Sequence, residues 1–259
     1  EMVKHHFRFG GIVDARWLTG KESNNQIYRQ KVLELFPYSG FESDLKWPQL
    51  ENDTKYKTTL SAIHWLNDNQ VNLRGHCLLW PSWNKMPKDI KKHSDNEPYL
   101  KNRILVHVEK TVRKHYPIIL EWDGINEATL RTDINAILGD NIYGEVFKVV
   151  KNINKEIKFI INENGLLNHG GLDLFKTNKF LSNLETWKKT GMKYDGIGLQ
   201  SHFQYQITSP ELIHKQLNTL AQYTNNLLIT EFDIDIPDDN LMAEYMLDYL
   251  YSVFSHPAV

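Results

Sequence analysis

The chain has 259 residues and a formal net charge of −2, from 30 Lys and Arg against 32 Asp and Glu. The basic residues are spread along the sequence, so the charge pattern favours neither a nucleic-acid partner nor an anionic membrane. No apolar run approaches the roughly 20 residues that a membrane span needs. The single cysteine, Cys77, excludes an internal disulfide and a cysteine-rich metal site.

Apolar runs of strand length recur along the chain, with longer helical patterns between them. The runs are rich in Ile, Val, Leu and Phe and hardly alternate with polar residues, as expected of strands buried on both faces. They predict strands at Phe7–Val13, Tyr38–Phe41, Asn72–Leu79, Ile118–Ile125, Lys158–Ile161, Gly196–Gln200 and Leu227–Ile229.

Each run is followed by a segment with apolar residues at three- and four-residue spacing, which is typical of a helix with one buried face. Leu100, Ile104, Val108 and Val112 form one such stripe. Ser209 before Pro210 is a typical helix start. The predicted helices are Asn24–Leu35, Tyr56–Asn69, Tyr99–His115, Tyr143–Asn154, Asn178–Thr190, Pro210–Tyr223 and Asn240–Phe254.

Seven strand–helix units in strict alternation predict an α/β fold with a parallel sheet inside a layer of helices. An eighth unit would close a (β/α)8 TIM barrel, which commonly forms one domain of about 250 residues. A doubly wound open sheet is the alternative, but no glycine-rich dinucleotide fingerprint follows the first strand. Because seven strands would leave two unpaired edges, we predict a single catalytic domain over residues 1–259, truncated after the seventh helix.

Polar residues follow the second to the seventh predicted strand. In a (β/α)8 barrel the functional residues lie at the carboxyl ends of the strands, and charged side chains at such depth are costly unless they are paired or used. In chain order these residues are Glu42 and Lys46-Trp47, His76 and Trp80, Asn126-Glu127, Asn162-Glu163-Asn164, Gln200 and His202, and Glu231 and Asp233. The sequence therefore predicts one polar site at this end of the barrel.

Glu127 and Glu231 each follow directly on an apolar strand, so opposed strand ends can hold the two carboxylates across one pocket. Retaining glycosidases need such a pair about 5–5.5 Å apart, and inverting glycosidases need about 6.5–9.5 Å. One carboxyl donates a proton to the leaving oxygen while the other is ionised. From the residues alone, two surface or structural carboxylates remain an equal alternative.

Other chemistries have weaker support. His76 and His202 could share a metal ion, but no HxH or HExxH spacing occurs, so we predict no metal site. A serine hydrolase is disfavoured because no GxSxG elbow is present. Four histidines within helical patterns are predicted to be structural: His64, His107, His115 and His214.

Four stretches carry distinctive motifs, namely RGHCLLW (Arg74–Trp80), WDGINEA (Trp122–Ala128), GIGLQSHF (Gly196–Phe203) and ITEFDI (Ile229–Ile234). Together they resemble glycoside hydrolase family 10, the xylanases. ESDLKW (Glu42–Trp47) is a fifth, weaker match. The resemblance covers nearly the whole chain and implies a (β/α)8 barrel that hydrolyses internal bonds of β-1,4-xylan with retention and without a cofactor.

By that resemblance, Glu127 is the acid/base and Glu231 the nucleophile, oriented by His202 and Asp233. Asn126 would hydrogen-bond the 2-hydroxyl of the attacked sugar. The resemblance also implies substrate-binding roles for Lys46, His76, Trp80 and Gln200 next to the cleaved bond, and for Glu42 beyond them.

The chain departs from the family pattern at three positions. Ser43 stands where the family usually has Asn, Pro81 where it has His, and Trp83 near its Gln. Pro81 offers no side-chain hydrogen bond, so one sugar contact is expected to be lost or replaced, with Trp83 as a possible stacking substitute. A same-clan β-1,4-glucanase and a non-catalytic polysaccharide-binding barrel therefore stay open as alternatives.

The expected partner is xylan or a xylo-oligosaccharide, with no nucleic acid and no membrane span. We expect a monomer that is secreted to an extracellular, cell-surface or periplasmic location, and additional carbohydrate-binding modules could flank it. The opening residues EMVKHHFRFG lack the apolar stretch of a signal peptide, so this localisation rests on function alone.

Overall fold

A computed structural model describes residues 7–168, 173–204 and 206–259. Its strands form one parallel seven-stranded sheet in which each strand pairs with the next along the chain. The strands are β1 Gly10–Val13, β2 Tyr38–Phe41, β3 Asn72–Leu79, β4 Ile119–Asn126, β5 Lys158–Glu163, β6 Gly196–Gln204 and β7 Leu227–Asp235. The sheet curls into a nearly closed barrel, so the (β/α)8 prediction is confirmed, with seven units described.

Helices connect the strands and cover the barrel. They are α1 Ala15–Thr19, α2 Ser23–Leu35, α3 Trp47–Leu50, α4 Asp53–Asp68, α5 Lys88–Lys91, α6 Glu97–His115, α7 Asn135–Leu138, α8 Asn141–Ile153, α9 Leu174–Lys189, α10 Pro210–Leu220 and α11 Asp239–Phe254. In the described ranges, no helix is both long and apolar enough to cross a membrane.

The predicted helix signals behave as expected. All four residues of the α6 stripe are fully buried, from Leu100 to Val112. The Ser209 side chain accepts a hydrogen bond from the amide of Leu212 and so caps α10, with Pro210 in the first turn. The four-residue and five-residue helices α1, α3, α5 and α7 were not predicted, because such short segments show no helical periodicity.

The strands β6 and β7 run further than the apolar pattern predicted. Their backbone pairing continues through polar residues, from Gln200 opposite Glu231 to Gln204 opposite Asp235. Along β6 the alternation of a strand sends Gln200 and His202 inward and Ser201 and Phe203 towards α11.

A cluster of aromatic residues holds these extended strand ends against α11. Phe232 stacks on Tyr249 with ring centroids 4.5 Å apart, and Phe203 meets Tyr249 edge to face at 5.2 Å. The Tyr249 hydroxyl also donates a hydrogen bond to Ser201 at 2.7 Å. Large rings packed in this way contribute beyond their buried area, so the outer faces of β6 and β7 are fixed while their inner faces carry polar groups.

Candidate active site

The predicted polar residues from β4, β6 and β7 meet at the carboxyl ends of the strands. A chain of side-chain amides joins the two predicted catalytic carboxylates. Gln200 donates to Glu127 at 3.1 Å and to Asn126 Oδ1 at 3.3 Å. Asn162 donates to the same Asn126 oxygen at 2.9 Å and to Glu231 at 2.9 Å. Glu127 and Glu231 therefore belong to one hydrogen-bonded unit.

Glu127 is held in an uncommon backbone conformation directly after β4. Its φ is +52°, in the left-handed region that non-glycine residues seldom adopt. Its amide donates to the Asn162 carbonyl at 2.9 Å, and the residue is only 7% exposed. Strained backbone that is held by its surroundings clusters at functional sites. The hydrogen bond from its amide to Asn162 fixes the position of Glu127 relative to β5.

Glu231 is surrounded by hydrogen-bond donors. His202 Nε2 lies 3.0 Å from one carboxylate oxygen, and Asn162 donates to the other. Burial acts to raise the pKa of Glu231, but the His202 hydrogen bond, the nearby His76 and the Asn162 bond outweigh it, so the pKa lies below its ordinary value. Glu231 is therefore held ionised, as a nucleophile must be.

His202 links Glu231 to Asp233. Its Nδ1 lies 2.5 Å from Asp233, which is exposed at the rim. The hydrogen bond to Glu231 raises the pKa of His202 from 6.5 to about 9, against the effect of burial and with further help from Asp233. The imidazole therefore carries both protons at neutral pH and can donate to both carboxylates at once.

His76 approaches Glu231 from β3. Its Nδ1 lies 2.8 Å from Asp123 and 3.8 Å from Glu231. Asp123 is fully buried, and Arg74 binds both of its oxygens, at 3.2 and 2.5 Å. Burial acts to raise the pKa of Asp123, but the Arg74 charge and the His76 contact hold it below its ordinary value. This buried charged cluster fixes the His76 ring.

His76, Asp123 and Glu231 are also the one group within the described ranges that brings three potential metal-ligand atoms within 4.8 Å of one another. Each of these atoms already contacts a protein partner, and the Arg74 guanidinium occupies Asp123 from the other side. A bound cation would have to displace or repel Arg74. The donor set therefore fits a hydrogen-bonded carboxylate better than a metal site.

The predicted sugar-binding residues Lys46 and Trp80 also lie together. Lys46 Nζ is 5.4 Å from the centre of the Trp80 indole ring, and the ring lies 6.1 Å from that of His76. Lys85 Nζ lies 4.2 Å from the same indole. The Trp80 indole nitrogen is buried, and the structure gives it no partner within the ranges described above. Glu42 is exposed one residue beyond β2.

The segment after β3 is anchored where the sequence departs from the family pattern. A single oxygen of Asp133 accepts from the Trp83 amide at 2.9 Å and from the Ser82 hydroxyl at 3.2 Å. Pro81 is buried, while Trp83 is half-buried against the hydrophobic core. Trp83 therefore supports the loop through its contact with the core.

Sequence reasoning left several site residues without a role. Asn162 was noted only as a polar strand end, and Asp123 and Arg74 lay inside motifs without an assignment. Arg131, which was not singled out, lies 3.8 Å from Glu127. Two histidines predicted to be structural are buried and bonded to backbone carbonyls, namely His107 and His115.

The fold and the site together define a barrel enzyme with the pair of carboxylates that glycosidases use. The chain belongs to glycosyl hydrolase family 10, whose sequence profile matches residues 1–255. The predicted family is thereby confirmed.

Named relatives agree with this assignment. Endo-1,4-beta-xylanase 4 of Arabidopsis thaliana is 25% identical over 100% of this chain and 45% of its own length. Endo-1,4-beta-xylanase 3 of Hypocrea jecorina is 29% identical over 87% of this chain and 64% of its own. The chain thus spans less than two thirds of either relative.

Among solved structures, xylanase 10B from Thermotoga petrophila, crystallised with xylobiose, superposes with a TM-score of 0.85 at 19% identity. The alignment covers 100% of this chain and 81% of that one. At this identity the likeness concerns the fold.

The charged form of His202 is expected to make stability depend on pH. Because the pKa of His202 is raised from 6.5 to about 9 on folding, its contribution is complete below pH 6.5 and is lost as the pH rises through about 9. Urea unfolding of the wild type and of His202→Gln, which cannot titrate, measures this contribution. The difference in free energy of unfolding should shrink between pH 6.5 and pH 9. A difference that stays constant over this range would contradict the assignment.

Proposed function

We propose that the protein is a retaining endo-1,4-β-xylanase that cleaves internal β-1,4-xylosidic bonds of xylan by double displacement. The observation that carries the proposal is the amide chain from Glu127 to Glu231, in which Asn162 and His202 each bond one oxygen of Glu231 and hold its pKa below the ordinary value. Family membership and the names of the relatives support the choice of xylan.

In the first step Glu231 attacks the anomeric carbon while Glu127 gives its proton to the departing oxygen. In the second step Glu127 takes a proton from water, which hydrolyses the glycosyl-enzyme. The donors around Glu231 favour its ionised form before attack and stabilise it again as the leaving group. The Asn126 side-chain nitrogen is buried and has no partner in the described part of the chain, so it is available to the sugar 2-hydroxyl.

The remaining predicted residues line the subsites in this proposal. Trp80 offers an apolar face and an unpartnered N–H, and Lys46 lies over the same ring. His76 and Gln200 reach the nucleophile and the acid/base from β3 and β6. Glu42, exposed beyond β2, lies at a subsite further from the cleaved bond.

The first test is release of reducing sugar from xylan by the wild type, Glu231→Ala and Glu127→Ala. We expect loss of turnover in Glu231→Ala and a fall of roughly 100- to 10,000-fold in Glu127→Ala. Glu109→Ala, whose carboxylate pairs with Arg113 on the exposed face of α6, is the control and should stay active. A strong preference for a β-glucan would change the proposed substrate from xylan to glucan but would leave the proposed mechanism unaffected. A folded wild type that binds these polymers without cleaving them would overturn the enzyme proposal.

The stereochemical outcome tests the two-step mechanism separately. Proton NMR of a short xylo-oligosaccharide digest should show the β-anomer of the new reducing end first, with the α-anomer appearing by mutarotation. A 2-fluoro xylobioside with a good leaving group should add one glycosyl unit to Glu231, detected by mass spectrometry of the peptides. Initial appearance of the α-anomer would establish inversion and remove the nucleophile role.

We further propose that the protein acts outside the cytoplasm, because xylan is a polymer too large to enter a cell. Immunodetection should find it in the medium, the periplasm or the cell-surface fraction. Confinement to the cytoplasm would contradict this location and would point to short xylo-oligosaccharides as substrates.

A further inference from the structure

Asn162 contacts three residues of the proposed active site, although no role has yet been assigned to it. Its side-chain nitrogen donates to Asn126 and Glu231, and its backbone carbonyl accepts from the amide of Glu127. Its side-chain oxygen accepts from the Thr230 hydroxyl at 2.5 Å. The residue is fully buried, and every hydrogen-bonding atom of its side chain has a partner.

The neighbouring strands leave room for these contacts. Gly198 lies on β6 directly beside Asn162, and a Cβ there would fall 2.5 Å from Asn162 Oδ1 and 2.8 Å from Thr230 Cγ2. The absence of a side chain at Gly198 therefore lets Asn162 on β5 meet Thr230 on β7 across β6.

A register shift brings Thr230 and Glu231 to the same partner. Leu199 pairs with Ile229 and Gln200 pairs with Glu231, so Thr230 is an extra residue in β7. An extra residue of this kind re-aims the side chains around it. The two successive residues consequently bond opposite ends of the Asn162 amide.

The hydrogen-bond pattern also determines how the Asn126 amide is turned. Asn126 Oδ1 accepts from Asn162 on one side and from Gln200 on the other. Reversing the amide would place its N–H groups against two other donors. The Asn126 nitrogen is therefore directed away from both, and this buried donor has no partner among the described residues.

We propose that Asn162 is a positioning residue, whose side-chain nitrogen orients the Asn126 amide towards the substrate and fixes the Glu231 carboxylate. The proposal rests on the proposed function for the role of Asn126, but its statement about Glu231 stands independently. Thr230 holds the Asn162 oxygen, so the amide has one orientation. The Asn162 amide thus positions both the Asn126 side chain that would bind the sugar and the Glu231 nucleophile.

Asn162→Asp tests the proposal, because it keeps the shape and removes both donors. Its carboxylate faces two oxygens, so Asn126 turns its nitrogen inward and Glu231 gains a negative neighbour. The other charged or titratable groups that act on Glu231 are His202, His76 and Asp123. We expect kcat/KM on an aryl xyloside to fall roughly 100-fold and the acid limb of its pH profile to move to higher pH.

A substrate without the 2-hydroxyl separates positioning from general damage. On the matching 2-deoxy aryl glycoside the loss in Asn162→Asp should shrink to about tenfold, because the Asn126 contact is already absent. Thr230→Val should show the same pattern more weakly, and Thr230→Ser, which keeps the hydroxyl, should restore the wild-type pH profile. Thr230→Val also serves if Asn162→Asp does not fold.

Asn25→Asp is the matched control. It makes the same replacement at a buried amide that bonds Trp17 and Glu22 and has no contact with the site. It should leave the pH profile unchanged. A shift in this control equal to that of Asn162→Asp, equal losses on both substrates, or an unmoved acid limb would each overturn the positioning role.

Carbon-13 NMR of the Glu231 carboxyl gives a readout that needs no turnover. The titration midpoint of Glu231 should rise in Asn162→Asp relative to the wild type. If the wild type were inert on xylan and β-glucans while this shift occurred, the proposed function would fail and the placement of Glu231 by Asn162 would stand. If the midpoint were unchanged and the enzyme were active on xylan, the positioning role of Asn162 would be wrong and the proposed xylanase function would stand.

Discussion

The side-chain oxygen of Asn126 is the acceptor on which the geometry of the site depends. It takes one hydrogen bond from Gln200 and one from Asn162, and each of these donors uses its other hydrogen on one of the two carboxylates. Three strands thus contribute three linked amides, of which Asn162 is also bonded by Thr230 on β7. Rotating any one of these amides would break at least one of these bonds and set donor against donor or acceptor against acceptor, so the arrangement is rigid even though the Asn126 nitrogen has no partner among the described residues. The spacing of Glu127 and Glu231 follows from the spacing of the strands.

Burial and ionisation oppose each other throughout this site. Removing Glu231 and Asp123 from water favours their neutral forms, yet donors and nearby cations hold the pKa of both below the ordinary range. The same opposition acts on His202, where the carboxylates outweigh burial in the other direction. A site assembled from neutral side chains would avoid this cost, but it could not hold a nucleophile ionised out of solvent. The buried Arg74 acts on this site through Asp123, which bonds His76 beside Glu231.

Much of this architecture could be predicted from the sequence because it depends on periodicity. The strands were found from unbroken apolar runs, and the polar residue that ends each run marked the site, as for Glu127 and Glu231. The same rule failed for the ends of β6 and β7, because backbone pairing continues where polar side chains bond one another. It marked Asn162 as a polar strand end but gave it no role, since that role comes from contacts across strands that depend on Gly198 and on the shifted register at Thr230. Residue spacing along the sequence contains no information about the space above Gly198 through which Asn162 meets Thr230.

The site divides into a part built on strands and a part built on loops. The residues that the proposed chemistry needs come from strand ends or follow them directly, and their contacts run from strand to strand. The departures from the family pattern, Pro81 and Trp83, lie in a loop that Asp133 anchors from the segment after β4. Loops tolerate change because few buried contacts cross them, whereas a change in a strand would disturb the amide network. Lys85, which lies over the Trp80 indole, belongs to the loop part. The strand part of the site can therefore stay constant while the surface next to Trp80 varies.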